Sequence, residues 1–529
     1  MKYGKITAIL LSAAMVSGTY ASQWVSAESG DTLTMEDIIV EDDNGGITSN
    51  IITAYENNNN SHGVNNSYLY QDDDGWYHVV SAAEESLLVA NYRSDLSYAI
   101  TYELSLELPV WGGFYCGEEY NYCLFGQSNS EENDNAEVIR VVKYDKLWRR
   151  IGSASIYGSN TVMPFYAGTP RMYEKDGMLY VHTSHLMYTS DDGLNHQANH
   201  QIHIDADTMD VVYNYGDVMN INYGYVSHSF DQYVRADENY VYTADLGDAY
   251  PRSVAVCRKM KNGIMKDYNK ALPIYGSIGN NYTGVSLGGF ELSDDKCIVI
   301  GNSVVQNEAN FNTDVRNIFI TLTDKDMSSS ELIWLTDYDD INRVSRPKLV
   351  KIDDNTFIGM WNEYEVSESD GWFNLVENEG SNCRIVKFNA DGEILEDITN
   401  DARISDCDPI VVGDEIIWYM TEDNGKTTFF HMEYDNLTQY DGLEYTFDAA
   451  ERLGDVDNDD AVNSSDASMV LTEYALTATG HTPTFDKNET LAADVNEDGS
   501  VDSSDASTIL SYYAYTATGG TESLLDYLG

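Results

Sequence analysis

Residues 173–181 read YEKDGMLYV, and residues 234–242 read VRADENYVY. In each stretch, two runs rich in Tyr, Val, Leu or Met flank a short turn of Asp, Gly, Glu or Asn residues. Runs of this kind indicate β-strands, and a short polar turn between them indicates a hairpin. Because the two stretches have the same shape, they indicate a β-hairpin that is repeated along the chain.

Similar turns occur at five more places. They lie at Asp74-Gly75, Glu118-Glu119, Asp294-Asp295, Asp354-Asn355 and Gly413-Asp414. Each of the seven turns is followed by a second hairpin candidate, such as Ile202 to Val211 or Ile385 to Leu395. Two hairpins in each repeat predict a four-stranded blade.

The predicted fold class is mainly β, with a seven-bladed β-propeller over residues 28–447 and a small α-helical calcium-binding domain over residues 448–529. We expect an early strand to close the ring against the last hairpin. Rings of six or eight blades, or a jelly roll with many insertions, remain alternatives because the repeats carry no strict kelch or WD signature.

The N-terminus predicts secretion. Lys2 and Lys5 precede an apolar run from Ile6 to Val16, and small residues end at Ala27. This is the pattern of a signal peptide, so residues 1–27 are expected to be removed. No later segment has the long uncharged apolar run of a membrane-spanning helix, so we expect no membrane insertion.

The charge balance narrows the range of partners. The chain carries 88 acidic and 30 basic residues, for a formal net charge of −58. Such a chain is repelled by nucleic acid and by anionic membranes, so neither is an expected partner. The six cysteines are too few for a disulfide scaffold. Cys116 and Cys123 flank a predicted hairpin, where either a cross-strand disulfide or two buried thiols would fit.

A second repeat lies near the C-terminus. Residues 455–466 read DVDNDDAVNSSD and residues 494–505 read DVNEDGSVDSSD, so the offset is 494 − 455 = 39 residues. The duplicated units extend over residues 455–477 and 494–516. Oxygen donors at positions 1, 3, 5, 9 and 12, with a backbone carbonyl at position 7, form the spacing by which a loop wraps Ca²⁺.

This spacing predicts two calcium ions. The first ion is assigned Asp455, Asp457, Asp459, Ala461 through its carbonyl, Asn463 and Asp466. The second is assigned Asp494, Asn496, Asp498, Ser500 through its carbonyl, Asp502 and Asp505. Asp460 takes the turn position where the second loop has Gly499, so we expect weaker binding in the first loop. The alternative is a pair of solvated acidic turns.

After each loop, apolar residues recur at helical spacing. They are Val470, Leu471 and Tyr474 in the first repeat and Ile509, Leu510 and Tyr513 in the second. We expect one apolar stripe on each helix, with the two stripes packed together. Because so many aspartates repel one another, the module is expected to fold only when calcium neutralises them.

The duplicated loop resembles type I dockerins, the modules that bind cohesin domains on scaffoldins in the cellulosomes of anaerobic bacteria. The resemblance rests on a single helix after each loop and on Asp at position 12, and it covers the C-terminal module only. It implies a cohesin partner, an extracellular place in a cell-surface cellulosome, and a role in plant polysaccharide breakdown.

In that family, the residues at loop positions 10 and 11 contact the cohesin. Here they are Ser464, Ser465, Ser503 and Ser504. Serine also suits the N-cap of a helix, so the two roles are compatible. Because both repeats carry the same pair, we predict two binding orientations.

Six histidines form the clearest local concentration in the large domain. They are His182, His185, His196, His200, His203 and His228. A metal or acid–base site is conceivable. We favour a structural role because no spacing is a ligand motif and because His196 and His200 lie in a stretch that predicts a loop.

Two polar clusters, at residues 227–232 and 247–252, bracket one predicted hairpin and could line a pocket. We interpret Asp248 and Arg252 as a structural ion pair.

Three functions fit the large domain. It could be a glycoside hydrolase or polysaccharide lyase, a non-catalytic module that binds glycan or protein, or an inhibitor or processing factor. The sequence identifies no catalytic residue, because cleavage of a glycosidic bond needs two carboxylates and 88 acidic residues offer no basis for choosing them.

Overall fold

The computed structural model shows seven antiparallel sheets followed by four helices in the part of the chain that it describes. The described residues are 49–51, 63–83, 86–94, 96, 99–216, 226–311, 313, 315–339, 343–364, 382–422, 426–445, 453–457, 461–481, 483–485, 487–496, 500–520 and 524–528. The predicted signal peptide lies outside them.

Each sheet is built from consecutive strands and is called a blade here. Blades 1 to 3 comprise β1 Ser67–Gln71, β2 Tyr77–Ala82, β3 Ser86–Tyr92 and β4 Ala99–Ser105; β5 Val110–Cys116, β6 Asn121–Gly126, β7 Glu137–Tyr144 and β8 Arg150–Tyr157; and β9 Thr161–Pro164, β10 Arg171–Lys175, β11 Met178–Thr189, β12 Asn195–Asp205 and β13 Val211–Tyr215.

The remaining four blades follow the same plan. Blades 4 to 7 comprise β14 Ser229–Ala236, β15 Tyr240–Gly247, β16 Ser253–Met260 and β17 Met265–Pro273; β18 Val285–Leu292, β19 Lys296–Ser303, β20 Asn317–Asp324 and β21 Ser330–Trp334; β22 Arg343–Val344, β23 Lys348–Lys351, β24 Thr356–Tyr364, β25 Asn382–Asn389 and β26 Ile394–Asn400; and β27 Ile410–Val412, β28 Glu415–Thr421, β29 Thr427–Glu433 and β30 Tyr440–Tyr445. In blades 3 and 6 the innermost strand is split in two, and both pieces pair with the same neighbour.

The seven predicted turns each connect the first long strand of a blade to the next one. For example, Asp176 and Gly177 join β10 to β11, and residues 413–414 join β27 to β28. The second hairpins also fall where they were predicted, with Asp391 and Gly392 between β25 and β26. The prediction of a seven-bladed β-propeller is confirmed.

Hydrophobic clusters fill the junctions between successive blades. One cluster joins blades 1 and 2, and others follow at each step round to blade 7. A further cluster joins Val79 of blade 1 to Tyr419 and Phe429 of blade 7, which closes the ring. Burial of apolar side chains between blades therefore holds the propeller together.

Of the expected closing strand, residues 49–51 are described, and they contact the last blade. Ile51 forms an isolated bridge with Ser405, and the backbone N–H of Asn50 donates to the carbonyl of Thr421 at 3.2 Å. These three residues therefore lie beside the end of β28.

The two cysteines of the predicted hairpin do not form a disulfide. Cys116 lies opposite Asn121 and Cys123 lies opposite Phe114, and both thiols are free. The free-thiol alternative is therefore correct, with Cys123 buried and Cys116 half-buried.

Crowding at the centre of the ring requires glycine. Gly288 lies at a bulge in β18, and a Cβ added there would lie 1.9 Å from the backbone oxygen of Pro347, next to β23. Since a backbone atom is the obstacle, no side-chain movement can relieve the clash. The innermost strands of blades 5 and 6 therefore approach as closely as glycine allows.

We predict that Gly288→Ala lowers the free energy of unfolding of the propeller by about 1–3 kcal/mol, because the added methyl group must displace backbone. Urea unfolding followed by tryptophan fluorescence measures this. Gly152→Ala is the matched control, since its Cβ would meet only Met209 at an ordinary 3.6 Å. Equal stability of the two variants would contradict the prediction.

The C-terminal module contains two long helices and two short ones. They are α1 Ser464–Ala478, α2 Lys487–Ala493, α3 Ser503–Ala517 and α4 Leu524–Leu528. Ala467 and Val470 of α1 pack with Ala506 and Ile509 of α3 in one small core. No helix in the described residues has the length and apolar character needed to cross a membrane.

Candidate functional site

Three carboxylates converge in the first acidic loop. Asp455, Asp457 and Asp466 each contribute an oxygen, and these oxygens lie within 4.8 Å of one another. Asp466 is fully buried, and its two oxygens accept backbone N–H groups from Val456 at 2.7 Å, Asp457 at 3.2 Å and Asn463 at 2.7 Å. The helix therefore presents this carboxylate to the loop in a fixed position.

The second loop is built in the same way. Asp494 is 6% exposed and Asp505 is fully buried. The oxygens of Asp505 accept the N–H groups of Asn496 at 3.2 Å and Asp502 at 2.9 Å. The two loops thus share the arrangement that their sequences share.

The remaining predicted ligands divide into two groups. Ala461 and Ser500, whose carbonyls take position 7, lie on described backbone just before the helices. Asp459 and Asp498 lie outside the described residues.

The donor set of the first loop fits a hard divalent cation. Carboxylate and carbonyl oxygens are the ligands that Ca²⁺ prefers. Burial raises the pKa of Asp466, which means that the charged form is costly there without a counter-charge. Held by Asp455, Asp457 and Asp466, a calcium ion would supply that charge and relieve the repulsion between carboxylates.

The helix caps are the residues at loop position 9, and the suggestion that the serines serve as caps is wrong. Asn463 and Asp502 have extended backbones, and their side chains accept the N–H groups of Ser465 at 2.7 Å and Ser504 at 2.6 Å. An extended residue before the first turn is the one whose side chain can reach these N–H groups. The four serine side chains are exposed and not used as caps.

Each long helix also keeps part of its apolar stripe in solvent. Leu471 is 43% and Tyr474 is 38% exposed on α1, and Leu510 is 42% and Tyr513 is 41% exposed on α3. The prediction that the two stripes pack together is confirmed for Val470 and Ile509, which share one core, and is wrong for the leucines and tyrosines, which stay exposed. The exposed residues lie on the same two helices as the four serines.

The spacer between the repeats is tied to the first helix. Glu473 is buried, and its carboxylate accepts the N–H of Thr484 at 2.8 Å and the hydroxyl of Thr484 at 2.5 Å. The first repeat therefore anchors the chain that leads to α2.

The second candidate site is a central cavity of the propeller with a volume of about 710 Å³. Residues of β1, β5, β10, β14, β18 and β27 line it, so the innermost strands of blades 1 to 5 and 7 contribute. Tyrosines and charged residues predominate among the polar lining. They are Tyr68, Tyr70, Tyr115, Tyr173, Tyr233, Arg171, Arg235, Glu291, Asp72, Asp73 and Asp408.

Most charges in and beside the cavity are paired. Arg235 donates to Glu291 at 2.6 Å. Lys348 lies 2.8 Å from Asp408. Burial acts to raise the pKa of Asp408, but the charges of Lys348 and Arg171 outweigh it and hold that pKa below its usual value. Both carboxylates are held by cations, and the lowered pKa of Asp408 does not suit a protonated general acid.

The histidine cluster lies within blade 3 and at its edge with blade 4. His182 is buried and lies 2.7 Å from Asp245, which also accepts the hydroxyl of Ser229 at 2.9 Å. Burial lowers the pKa of His182, with Asp245 opposing that effect in part. The hydrogen bonds of Asp245 cross the junction between blades 3 and 4. The apolar cluster at this junction, around Tyr180 and Val234, has only four buried residues.

Three other histidines are buried and neutral at ordinary pH. Burial lowers the pKa of His185 well below its usual value and lowers those of His200 and His203 to about 4. Each has a neutral partner: Thr161 at 2.7 Å, Asn214 at 2.7 Å and the carbonyl of Lys261 at 3.1 Å, respectively. In the described part of the chain, they join no cluster of three metal-binding side chains.

The loop predicted around His196 and His200 is a strand. Both residues lie in β12, and His196 lies 2.9 Å from Asp192. This buried strand tolerates a polar sequence because its side chains form hydrogen bonds to the neighbouring blade. Gln197, for example, donates to the carbonyl of Ser229 at 2.5 Å and accepts its N–H at 2.6 Å.

The predicted ion pair between Asp248 and Arg252 is also wrong. The guanidinium of Arg252 donates to backbone carbonyls, including that of Asp248 at 2.6 Å and that of Tyr282 at 3.0 Å. The Asp248 carboxylate lies 2.9 Å from His228 instead, and this contact raises the pKa of His228. Neither polar cluster lines the cavity formed by the described residues.

Sequence comparison of the hairpins missed the cavity-lining positions because the aspartate takes a different place in the two turns. Tyr173 opposes Tyr180 and Arg235 opposes Tyr242, so the hairpin centre falls directly after Asp176 but one residue beyond Asp237. Aligning the turn aspartates thus places Tyr173 over Val234, one residue away from Arg235. Since side chains alternate between faces, a shift of one residue exchanges channel and core positions.

The fold and the two sites define a β-propeller with a C-terminal module of duplicated acidic loop-helix units. Residues 453–512 match the family model of the dockerin type I domain. The C-terminal module is therefore a type I dockerin, as its sequence predicted. Type I dockerins generally bind calcium, and they mark components of cellulosomes that dock onto cohesins.

No curated protein matches the chain. Among solved structures, the chain is similar to one titled "Crystal structure of polysaccharide lyase Uly1", at 9% identity over 79% of this chain and 87% of the other, with a TM-score of 0.33. It is also similar to an α-L-arabinofuranosidase from Lactobacillus brevis, at 11% identity over 65% of this chain and 95% of the other, with a TM-score of 0.30. TM-scores this low carry no inference about function.

Proposed function

We propose that the chain is a secreted cellulosome component that binds two calcium ions in its dockerin, docks onto a cohesin of a scaffoldin, and uses its propeller in plant polysaccharide degradation. The convergence of Asp455, Asp457 and Asp466 within 4.8 Å is the observation that supports calcium-dependent docking. The domain limits of residues 28–447 and 448–529 remain part of this proposal.

We propose that calcium assembles the docking surface, which is formed by the exposed serines at the start of α1 and α3 and by one exposed leucine on each helix. The loop ligands fix the start of each helix, because the cap at position 9 and the carboxylate at position 12 are both in the loop-helix connection. The free energy of calcium binding then contributes directly to the folding of the C-terminal module, as in other small metal-dependent domains. The serines and the exposed leucine on each helix are brought into position only in the calcium-loaded form.

The proposed role of the propeller in polysaccharide degradation is supported by its central cavity. Its volume lies within the range of small-molecule binding sites, and tyrosines and paired charges line it, so it offers polar groups that can bond sugar hydroxyls. A non-catalytic glycan-binding role is the second candidate, because the carboxylates of Glu291 and Asp408 are both held by cations.

We predict that Asp455→Ala combined with Asp494→Ala abolishes calcium-dependent capture of the full chain on immobilised type I cohesin. The variant loses a position-1 carboxylate from each loop, whereas the propeller keeps every contact that closes its ring. Capture is measured by surface plasmon resonance, with near-UV circular dichroism as the check on propeller folding. Capture that equals that of the unaltered chain would contradict the calcium assignment.

A second prediction concerns the two orientations. Ser464→Arg with Leu471→Asp disrupts the α1 surface, and Ser503→Arg with Leu510→Asp disrupts the α3 surface, at side chains that are all exposed. If the surfaces are equivalent, loss of either one halves the association constant, and loss of both abolishes binding. Isothermal titration against a single cohesin measures this. Complete loss in either single-surface variant would refute the dual mode.

The propeller's function is tested on an array of plant cell-wall polysaccharides, with released sugar and retention read in parallel. We expect retention or release with at least one polysaccharide. Released sugar identifies an enzyme, and retention without release identifies a targeting module. A chain that neither retains nor cleaves any polysaccharide would overturn the proposed role of the propeller.

A further inference from the structure

We propose that the central cavity binds a sugar that carries a carboxylate, and that Arg171 is the cation that recognises this carboxylate. This inference rests on the proposed role of the propeller in polysaccharide degradation and names the class of glycan that it takes. A uronate, in which a carboxylate replaces the hydroxymethyl group of a hexose, is the ligand class that fits.

The pairing of charges around the cavity singles out Arg171. Arg235 is paired with Glu291 at 2.6 Å, and Arg346 lies 3.4 Å from Asp231. Lys348 is paired with Asp408 at 2.8 Å. Arg171 forms no ion pair within 4.0 Å in the described part of the chain, although its charge acts at longer range on Asp408 and Asp406.

The contacts that Arg171 does make leave most of its donors available. Its guanidinium donates to the carbonyl of Pro170 at 3.2 Å and to the side-chain oxygen of Asn65 at 3.3 Å. Both acceptors are neutral, and a guanidinium has five N–H donors. A carboxylate can therefore take two parallel hydrogen bonds from it, which is the strongest geometry for this pair.

Tyr233 holds the guanidinium and adds a second donor. The Arg171 guanidinium carbon lies 5.1 Å from the centre of the Tyr233 ring, within the range of a cation–π contact. Tyr233 lines the same cavity, and its hydroxyl makes no hydrogen bond to the described residues. A ligand in the cavity thus meets a positioned cation and a hydroxyl that have no protein partner for these bonds.

The paired charges nearby suit the hydroxyl groups of a sugar. Lys348 donates to one oxygen of Asp408, so it occupies only part of the hydrogen-bonding capacity of that carboxylate. The whole-chain charge of −58 does not prevent binding of a short anionic sugar. At physiological ionic strength, charges more than about 8 Å apart are largely screened, so local contacts decide the affinity.

The test is isothermal titration of the full chain with three probes at 0.15 M salt: trigalacturonate, its methyl ester and a neutral xylotriose. We expect trigalacturonate to bind at least ten-fold more tightly than its ester, which has the same size but no charge. Arg171→Gln should remove this preference, and Tyr233→Phe should weaken trigalacturonate binding several-fold.

Two controls separate binding from folding. Arg149→Gln makes the same charge change at an exposed pair with Asp145 outside the cavity, and it should leave all three affinities unchanged. Arg171→Lys retains the positive charge and should keep part of the preference for the acid. The thermal unfolding midpoint of every variant is recorded, and Tyr233→Phe tests the site even if Arg171→Gln folds poorly.

The outcomes distinguish this inference from the proposed function. Equal binding of the acid and its ester, or preference for xylotriose, would overturn the inference while leaving the propeller a glycan-binding domain. Binding of the acid that Arg171→Gln and Tyr233→Phe leave unchanged would overturn the assignment of the site. Absence of binding for all three probes, together with no retention on the polysaccharide array, would overturn both.

Discussion

The docking module depends on one electrostatic constraint, the close approach of buried carboxylates. Oxygens of Asp455, Asp457 and Asp466 lie within 4.8 Å, and Asp466 has no exposure to water. Like charges at this distance oppose one another unless a cation lies between them. Because the same residues hold the start of α1, a cation that relieved the repulsion would also order the helix. The proposed calcium site and the start of α1 are therefore linked through backbone hydrogen bonds to Asp466.

The propeller depends on a different constraint, closure of the ring. Each blade buries apolar side chains against the next, and Val79 meets Phe429 where the last blade returns to the first. Where the apolar cluster is smallest, between blades 3 and 4, a buried bond from His182 to Asp245 crosses the junction. Ring closure also brings innermost strands from six blades around one cavity, so charges that are distant in sequence meet there.

The sequence predicts much of this because the signals are local. Turn residues and ligand spacing act over about ten residues, so the seven blades and the duplicated loops were predictable. Strand register and the choice of hydrogen-bond partner, in contrast, depend on residues that are distant in the sequence. The different place of the aspartate in the turn before Tyr240 hid the cavity position of Arg235, and the polar side chains of β12 hid a strand. Asp248 contacts His228 rather than Arg252. The helical stripe was misjudged because Leu471 and Leu510 face solvent rather than each other.

The central claim is that calcium folds the docking module while the propeller stands on its own packing. Hydrogen–deuterium exchange of the full chain, with calcium and after chelation, tests it most directly. The account predicts that amides within residues 453–520 lose protection on chelation, while those of blades 1 to 7 keep theirs. Unchanged protection of α1 and α3 after chelation, or an equal loss across the propeller, would contradict it.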